Sequence, residues 1–102
     1  VVRQRRPSYE ADWKSLTRLQ QNVLRAVAAE GIGLTKRDTR DTYGLGEASG
    51  ISKSIDALAE RAVLLRDGEM VIFDDPFYRA WVIESALPDV GMRLPLTFLP
   101  RR

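Results

Sequence analysis

The chain has 102 residues, of which 44% are hydrophobic and 29% are charged, as in an ordinary small globular domain with one modest core. It has no cysteine, which excludes a disulfide framework and a thiolate metal site, and it has no apolar run of the roughly 20 residues that a membrane span needs. Its net charge is +2, yet residues 8–100 contain eleven Lys/Arg and fourteen Asp/Glu, so the positive excess lies at the two ends.

Arginine residues make both ends of the chain basic. They are Arg3, Arg5 and Arg6 at one end and Arg101 and Arg102 at the other. Exposed charge runs are commonly just solvated, so we interpret residues 1–7 as a linker. Because the first residue is Val rather than Met, we expect a piece of a longer protein, with a mature N-terminus as the alternative. The lack of cysteine and of a long apolar run predicts a cytoplasmic protein with no membrane partner.

A short helix and then a longer one are predicted after the linker. Ser8 is placed to cap the short helix, so residues 1–16 comprise the linker and this helix. Thr17 and Gln20 then match a capping box that opens the longer helix. Gly31 ends that helix, because glycine readily adopts the left-handed conformation needed there. The apolar faces of the two helices are Tyr9, Trp13 and Leu16, and Leu19, Val23, Ala26 and Val27.

Two further helices are predicted to form a helix-turn-helix. Thr35 precedes the first as a capping hydroxyl, Asp38 lies in its first turn, where the helix dipole favours a carboxylate, and Gly44 ends it. Ser49 is placed to cap the second helix. The apolar face of the second helix repeats at helical spacing through Ile51, Ile55, Leu58 and Ala62.

A β-hairpin is predicted next. Two apolar runs, residues 63–66 and 69–73, are joined by Asp67-Gly68, a dipeptide typical of a type I′ turn. This turn places Arg66 opposite Glu69. The resulting register puts Leu64, Val71 and Phe73 on one face of the hairpin, and Val63, Leu65, Met70 and Ile72 on the other.

A last helix is predicted with Asp75 as its N-cap and Pro76 at its first position. It is apolar over most of its circumference, so we expect it to be largely buried, within this domain or against a neighbour. Its aromatic residues Phe77, Tyr78 and Trp81 are interpreted as core, with a base-stacking platform as the alternative.

The order of these elements predicts an α+β, mainly helical fold: a winged helix-turn-helix with a two-stranded β-wing. In this division of the chain, residues 17–87 are the winged-helix domain and residues 88–102 are a C-terminal extension.

An enzymatic site is not predicted. The chain has no His and no Cys, the commonest general base and nucleophile. The glycine-rich segment 44–54 does not match a phosphate-binding loop, because no Lys follows Gly50, nor a dinucleotide fingerprint, because Ser49 takes the place of the third glycine. Asp74 and Asp75 are adjacent carboxylates, but helix capping explains Asp75. We therefore expect no catalytic residue, metal ligand or cofactor within this chain.

Binding of double-stranded DNA is the first functional hypothesis. The second helix of a helix-turn-helix enters the major groove, and the helix before it crosses the backbone. The residues expected nearest the bases are Ser49, Ser52 and Lys53. The residues expected to contact phosphates are Lys36, Arg37, Arg40 and Arg66.

The distribution of charge argues against strong DNA binding. Asp56 and Glu60 share the outward face of the second helix, and Asp67 and Glu69 lie at the tip of the wing. Five Lys/Arg offset five Asp/Glu between residues 34 and 61, whereas affinity for DNA depends largely on cations that release counterions. A solvated or protein-facing surface is therefore the alternative interpretation, and it stays open.

Short motifs along the chain resemble one protein family. They are Leu16-Thr17 with Leu19-Gln20, Ala28-Ala29-Glu30-Gly31, Tyr43-Gly44-Leu45 with Ser49, Leu58, and Asp75-Pro76-Phe77-Tyr78-Arg79-Ala80-Trp81. From Thr17 to about Leu87 the chain is similar to the winged-helix domain that follows the nucleotide-binding core in archaeal-type P-loop ATPases of the AAA+/STAND-like kind. The last motif is the most telling of these.

This resemblance implies a parent protein with an upstream ATPase domain, which would bind ATP and Mg²⁺ and would be a partner of this domain. The phosphate-loop lysine of such ATPases is absent here, so the resemblance implies no ATP hydrolysis within this chain. The winged helix would be a DNA-binding or DNA-associated accessory domain. Alternatively, it would be an interaction module that packs on the ATPase core or on a second copy of the chain, making a homo-oligomer without DNA contact. A free-standing transcription regulator is a third hypothesis.

Overall fold

The computed structural model describes residues 8–87, which form five α-helices and one two-stranded antiparallel sheet. The elements in chain order are α1 (Tyr9–Lys14), α2 (Arg18–Ala29), α3 (Arg37–Tyr43), α4 (Ala48–Glu60), β1 (Leu64–Asp67), β2 (Met70–Phe73) and α5 (Pro76–Ser85). This architecture confirms the predicted α+β fold with its two-stranded wing. The predicted linker 1–7 and extension 88–102 lie outside the described residues.

Helix α2 runs through the middle of the fold. Six consecutive residues from Val23 to Ala28 are buried, and the helix contacts α3, α4, α5 and β2. The predicted capping box is confirmed, because Gln20 N donates to Thr17 Oγ1 at 3.1 Å and Thr17 N donates to Gln20 Oε1 at 3.0 Å. Gly31 follows the end of the helix with φ of +73°, as predicted.

Helix α3 starts one residue later than predicted. Thr35 is not its cap, because a turn in which Lys36 N donates to Gly33 O at 3.1 Å includes Thr35 and makes Lys36 the N-cap. Lys36 forms no side-chain capping bond. Gly44 ends the helix at φ +69°, which confirms that part of the prediction.

Helix α4 starts earlier than predicted. Ser49 is not its cap, because Gly46, at φ +75°, turns the chain and Glu47 already takes the N-cap position without a side-chain bond. Ser49 therefore lies within the first turn. The predicted apolar face is confirmed at three positions, since Ile51, Ile55 and Leu58 are all buried.

The end of α4 differs from the prediction at Ala62. This residue is exposed, lies beyond the helix, and has φ of +62°. Val63 N donates to Leu58 O at 2.9 Å, and Ala62 N donates to Ala59 O at 3.0 Å. These two bonds are the 6→1 and 5→2 pair of a Schellman motif, in which the left-handed position is usually glycine. The motif turns the chain out of α4 and into the wing.

The register of the wing is shifted from the predicted one. Arg66 pairs with Val71 rather than with Glu69, and Asp67 pairs with Met70. Gly68 has φ of +65° and Glu69 does not have a positive φ, which is the pattern of a type II′ turn with glycine first. The shift amounts to two positions and so preserves the faces, because side chains alternate with a period of two. The buried face is Leu64, Val71 and Phe73, as predicted.

Asp75 connects the two ends of the described chain. Its Oδ1 accepts from Phe77 N at 2.9 Å, and Pro76 opens α5, so the predicted cap is confirmed. Its Oδ2 accepts from Tyr9 OH at 2.8 Å. The Tyr9 ring is stacked on Tyr78 with centroids 4.8 Å apart. One carboxylate therefore caps α5 and fixes α1 against it.

The expectation that α5 is largely buried within this domain is wrong, and burial against a neighbour stays a prediction. Within this helix Tyr78 and Val82 are buried, Trp81 is half-buried against Trp13, and Phe77 is 75% exposed. The helix packs on α2 and β2 with one side, and α1 covers a second strip, so the rest faces solvent. The core interpretation of the aromatic set holds for Tyr78 and does not hold for Phe77.

We expect Ala62→Gly to stabilise the domain by about 0.5–1 kcal/mol, because glycine avoids the strain that a Cβ imposes in the left-handed region. Urea denaturation followed by circular dichroism measures this change. Ala57→Gly, inside α4, is the control and should destabilise by about 1 kcal/mol. A lower urea midpoint for Ala62→Gly than for the wild type would contradict this explanation.

Candidate nucleic-acid interface

The outward face of α4 is the surface that a helix-turn-helix would present to DNA. Ser49, Ser52, Lys53, Asp56 and Glu60 are all exposed on this helix. They are turned outward because the opposite side of the helix is buried in the core. The face therefore offers two hydroxyls, one ammonium group and two carboxylates.

Two side-chain bonds hold the turn between α3 and α4. Asn22 Nδ2 donates to Gly44 O at 3.2 Å, and Arg40 Nη1 donates to Gly46 O at 3.3 Å. Arg40 is half-buried, and its Nε is buried with no hydrogen-bond partner in the described part of the chain. The structure thus directs Arg40 towards the turn, while the sequence interpretation assigned it to phosphates.

Lys36 and Arg37 lie at the start of α3, and both are exposed. Within residues 8–87, these two cations and Lys53 form no ion pair. Their charges are therefore available to a ligand from solution.

Arg66 reaches from the wing to α4. Its Nη2 lies 2.7 Å from Asp56 Oδ1, and the two side chains are 46% and 68% exposed. Sequence reasoning missed this pair, because Arg66 was assigned to phosphates and Asp56 was counted as a separate unfavourable charge. The separation of ten residues carries no local signal for it, since the contact depends on how the wing folds back on α4.

The outer face of the wing is apolar. Leu65 pairs with Ile72 across the strands, and Met70 follows on the same face. These three side chains, which we call the wing strip, are 45%, 37% and 44% exposed. The sequence placed them on one face but gave that face no role. The wing tip carries the acidic residues Asp67 and Glu69, both exposed.

Tyr43 links the helix-turn-helix to the end of α2. Its hydroxyl donates to Glu30 Oε2 at 3.3 Å. Burial of the phenol, assisted by the negative charge of Glu30 and by this hydrogen bond, raises the pKa of Tyr43 to about 12. Tyr78 lies in the core next to α1, and burial, assisted by the charge of Asp12, raises its pKa to about 12 as well.

Residues 8–87 contain no group of three or more His, Cys, Asp or Glu that could hold a metal ion. The same residues contain no helix with the length and apolar character that would let it cross a membrane.

The sequence of this chain matches one family model of known proteins. A family model described as a probable winged helix domain matches residues 7–84, which is most of the chain. The chain belongs to this family. Winged helix domains have a fold of the DNA-binding type and are typically non-catalytic. Among the curated proteins and the solved structures, none matches the chain.

The tyrosine pKa values predict how this winged helix responds to alkali. Each of these tyrosines has a higher pKa in the folded than in the unfolded state, so its neutral form favours the folded state. This contribution to stability is complete below pH 10 and is lost as the pH rises from 10 towards 12. We expect Tyr43→Phe and Tyr78→Phe each to reduce the loss of stability between these pH values. Urea midpoints of the wild type and both variants across this range measure the effect. Equal pH slopes in all three proteins would contradict it.

Proposed function

We propose that this winged helix is an accessory domain of a multidomain P-loop ATPase and that it contacts double-stranded DNA through α4 and the start of α3. The observation that carries the proposal is the outward face of α4, where Ser49, Ser52 and Lys53 are exposed together on the longest helix described. This is the face that a helix-turn-helix places in the major groove.

The side chains divide into positioning and contacting roles in this proposal. Lys36, Arg37 and Lys53 contact phosphates, because they are exposed and unpaired within residues 8–87. Ser49 and Ser52 face the base edges, where a hydroxyl can donate or accept. The half-buried Arg40 has a positioning role, because its bond to Gly46 O supports the turn that orients α4.

The binding that follows from this arrangement is weak. Residues 8–87 contain ten Lys/Arg and thirteen Asp/Glu, so the surface as a whole does not attract DNA. Three phosphate contacts give a slope of log K against log salt of about −2 to −3, which is small for a DNA-binding protein. Specific recognition would then depend on other parts of the parent protein.

The proposal of an ATPase parent is supported by the motif from Asp75 to Trp81. In the fold, Asp75 caps α5 and anchors Tyr9, and Tyr78 and Trp81 pack against α1. The residues of this motif therefore hold α5 against α1 and do not form a nucleotide site. ATP and Mg²⁺ would bind the upstream ATPase domain of the parent protein, which lies outside this chain.

We expect the triple variant Lys36→Ala/Arg37→Ala/Lys53→Ala of the full chain to bind a short labelled DNA duplex about tenfold more weakly than the wild type at low salt. The slope of log K against log salt should fall in magnitude by about 2 to 3, because about 0.9 counterions are released per phosphate contact. Fluorescence anisotropy at several salt concentrations measures both quantities.

The charge-matched control is Arg3→Ala/Arg5→Ala/Arg6→Ala, which also removes three positive charges but leaves α3 and α4 intact. We expect this variant to lose less affinity than the α3–α4 variant. If the control variant loses all binding and the α3–α4 variant loses none, the arginines act as a generic polycation and the proposed interface is wrong.

The wing strip favours a second candidate function. Leu65, Ile72 and Met70 form an apolar surface on the wing, and a wing that served only to contact DNA phosphates would be expected to carry cations there. In this alternative the domain is an interaction module whose wing packs on a second copy of the chain or on the ATPase core of the parent protein.

Self-association tests the second candidate with the chain alone. We expect the wild type to form dimers at high concentration and Leu65→Thr/Ile72→Thr to remain monomeric, because threonine keeps strand propensity while reducing apolar area. Sedimentation velocity over a concentration series measures this. Phe77→Ser is the control for loss of an exposed apolar side chain elsewhere. A wild type that is monomeric throughout would remove the second copy as a partner.

A further inference from the structure

We infer that Asp56 masks Arg66 from DNA, so that the wing contributes its phosphate contact only after this ion pair has opened. The inference rests on the proposed DNA contact and names a regulatory element within the same site. Asp56 is then a positioning residue that lowers the affinity of the free domain and limits how many phosphates it can engage at first encounter.

The geometry of the wing directs Arg66 to α4. Arg66 shares its side of β1 with the buried Leu64, because side chains along a strand alternate between faces. Its side chain therefore extends along the face that covers the core and meets Asp56 at 2.7 Å. The neighbouring positions Leu65 and Asp67 face the other way.

The pair is placed between the two surfaces that DNA would touch. Asp56 lies on the outward face of α4, four residues after Ser52 and four before Glu60, so these three residues are neighbours on the helix surface. A phosphate that approached Arg66 would compete with the carboxylate for the guanidinium. While the pair is closed, Arg66 adds no net charge to this surface.

The energetics allow the pair to open. Both side chains are substantially exposed, and exposed ion pairs contribute little to stability because water and salt screen them. An arginine–phosphate contact is charge-assisted and frequently bidentate, so a correctly placed phosphate can replace the carboxylate. Breaking the ion pair costs free energy before Arg66 can contact a phosphate, and this cost is the source of the lowered affinity.

A double-mutant cycle on the full chain tests this masking. The proteins are the wild type, Asp56→Asn, Arg66→Ala and the double variant, and duplex DNA binding is measured by anisotropy at several salt concentrations. We expect Arg66→Ala alone to change affinity by less than about twofold, because the guanidinium is masked. We expect Asp56→Asn to raise affinity about twofold to fivefold and to steepen the salt slope by about 0.9. Adding Arg66→Ala to Asp56→Asn should remove most of the gain.

The matched control is Glu60→Gln, which removes the same charge one helical turn away and from a residue that forms no ion pair within residues 8–87. We expect its gain to be smaller and independent of Arg66. Equal gains in Asp56→Asn and Glu60→Gln, with no coupling to Arg66→Ala, would overturn the masking and leave only a general charge effect. An equal loss from Arg66→Ala in both backgrounds would also overturn it, because Arg66 would then be available from the start.

Failure of the masking is distinguishable from failure of the proposed function. Binding that depends on Lys36, Arg37 and Lys53 but shows no coupling between Asp56 and Arg66 overturns the masking alone. If neither the wild type nor Asp56→Asn binds duplex DNA, both proposals are overturned. Thermal unfolding of every variant, followed by circular dichroism, verifies that a change in affinity does not reflect loss of the fold.

Discussion

The burial of one charged residue in the middle of α2 is the constraint on which the rest of the structure depends. Arg25 lies among buried neighbours, and its Nε donates to Ala86 O at 3.1 Å while its Nη1 donates to Asn22 Oδ1 at 2.8 Å. Its guanidinium also lies 5.1 Å from the ring centroid of Trp13, within the range of a cation–π contact. A buried charge is tolerated only when it is bonded in this way, so the first and last helices must both close over α2.

The same network reaches the candidate interface. Asn22 accepts from Arg25 and donates to Gly44 O, so a residue of the core helix contacts both the buried cation and the turn between α3 and α4. The turn is held from its other side by Arg40, and Tyr43 joins the end of α3 to Glu30. The direction of α4, and hence the face it shows to a ligand, is therefore set by packing that begins at α2. Arg40, which the sequence assigned to phosphates, also bonds to the backbone of this turn, and its phosphate contact stays a prediction.

Helix caps were predicted correctly from the sequence where a side chain bonds to the backbone a few residues away. The capping box at Thr17 and the cap at Asp75 were predicted correctly, because each depends on a few consecutive residues. The starts of α3 and α4 were predicted incorrectly, because backbone turns around Gly33 and Gly46 fix them instead of a capping hydroxyl. The contact between Arg66 and Asp56 depends on the wing register and on the path out of α4 together, so no local pattern contains it. The exposure of the outward face of α4 was predictable from the periodicity of the apolar residues, but the ion pair between Asp56 on that face and Arg66 was not.

Charges of both signs lie close together on the outward face of α4. A face with Lys53 beside Asp56 and Glu60 supplies little attraction to DNA on its own. In a parent protein that already holds DNA or an oligomeric partner, however, a weak contact becomes effective, because the local concentration of the second site is high. Under the proposed DNA contact, a near-neutral α4 would differ from a strongly basic helix in one respect: the domain would engage DNA only when the rest of the parent protein had placed it there, and it would dissociate readily when that placement changed.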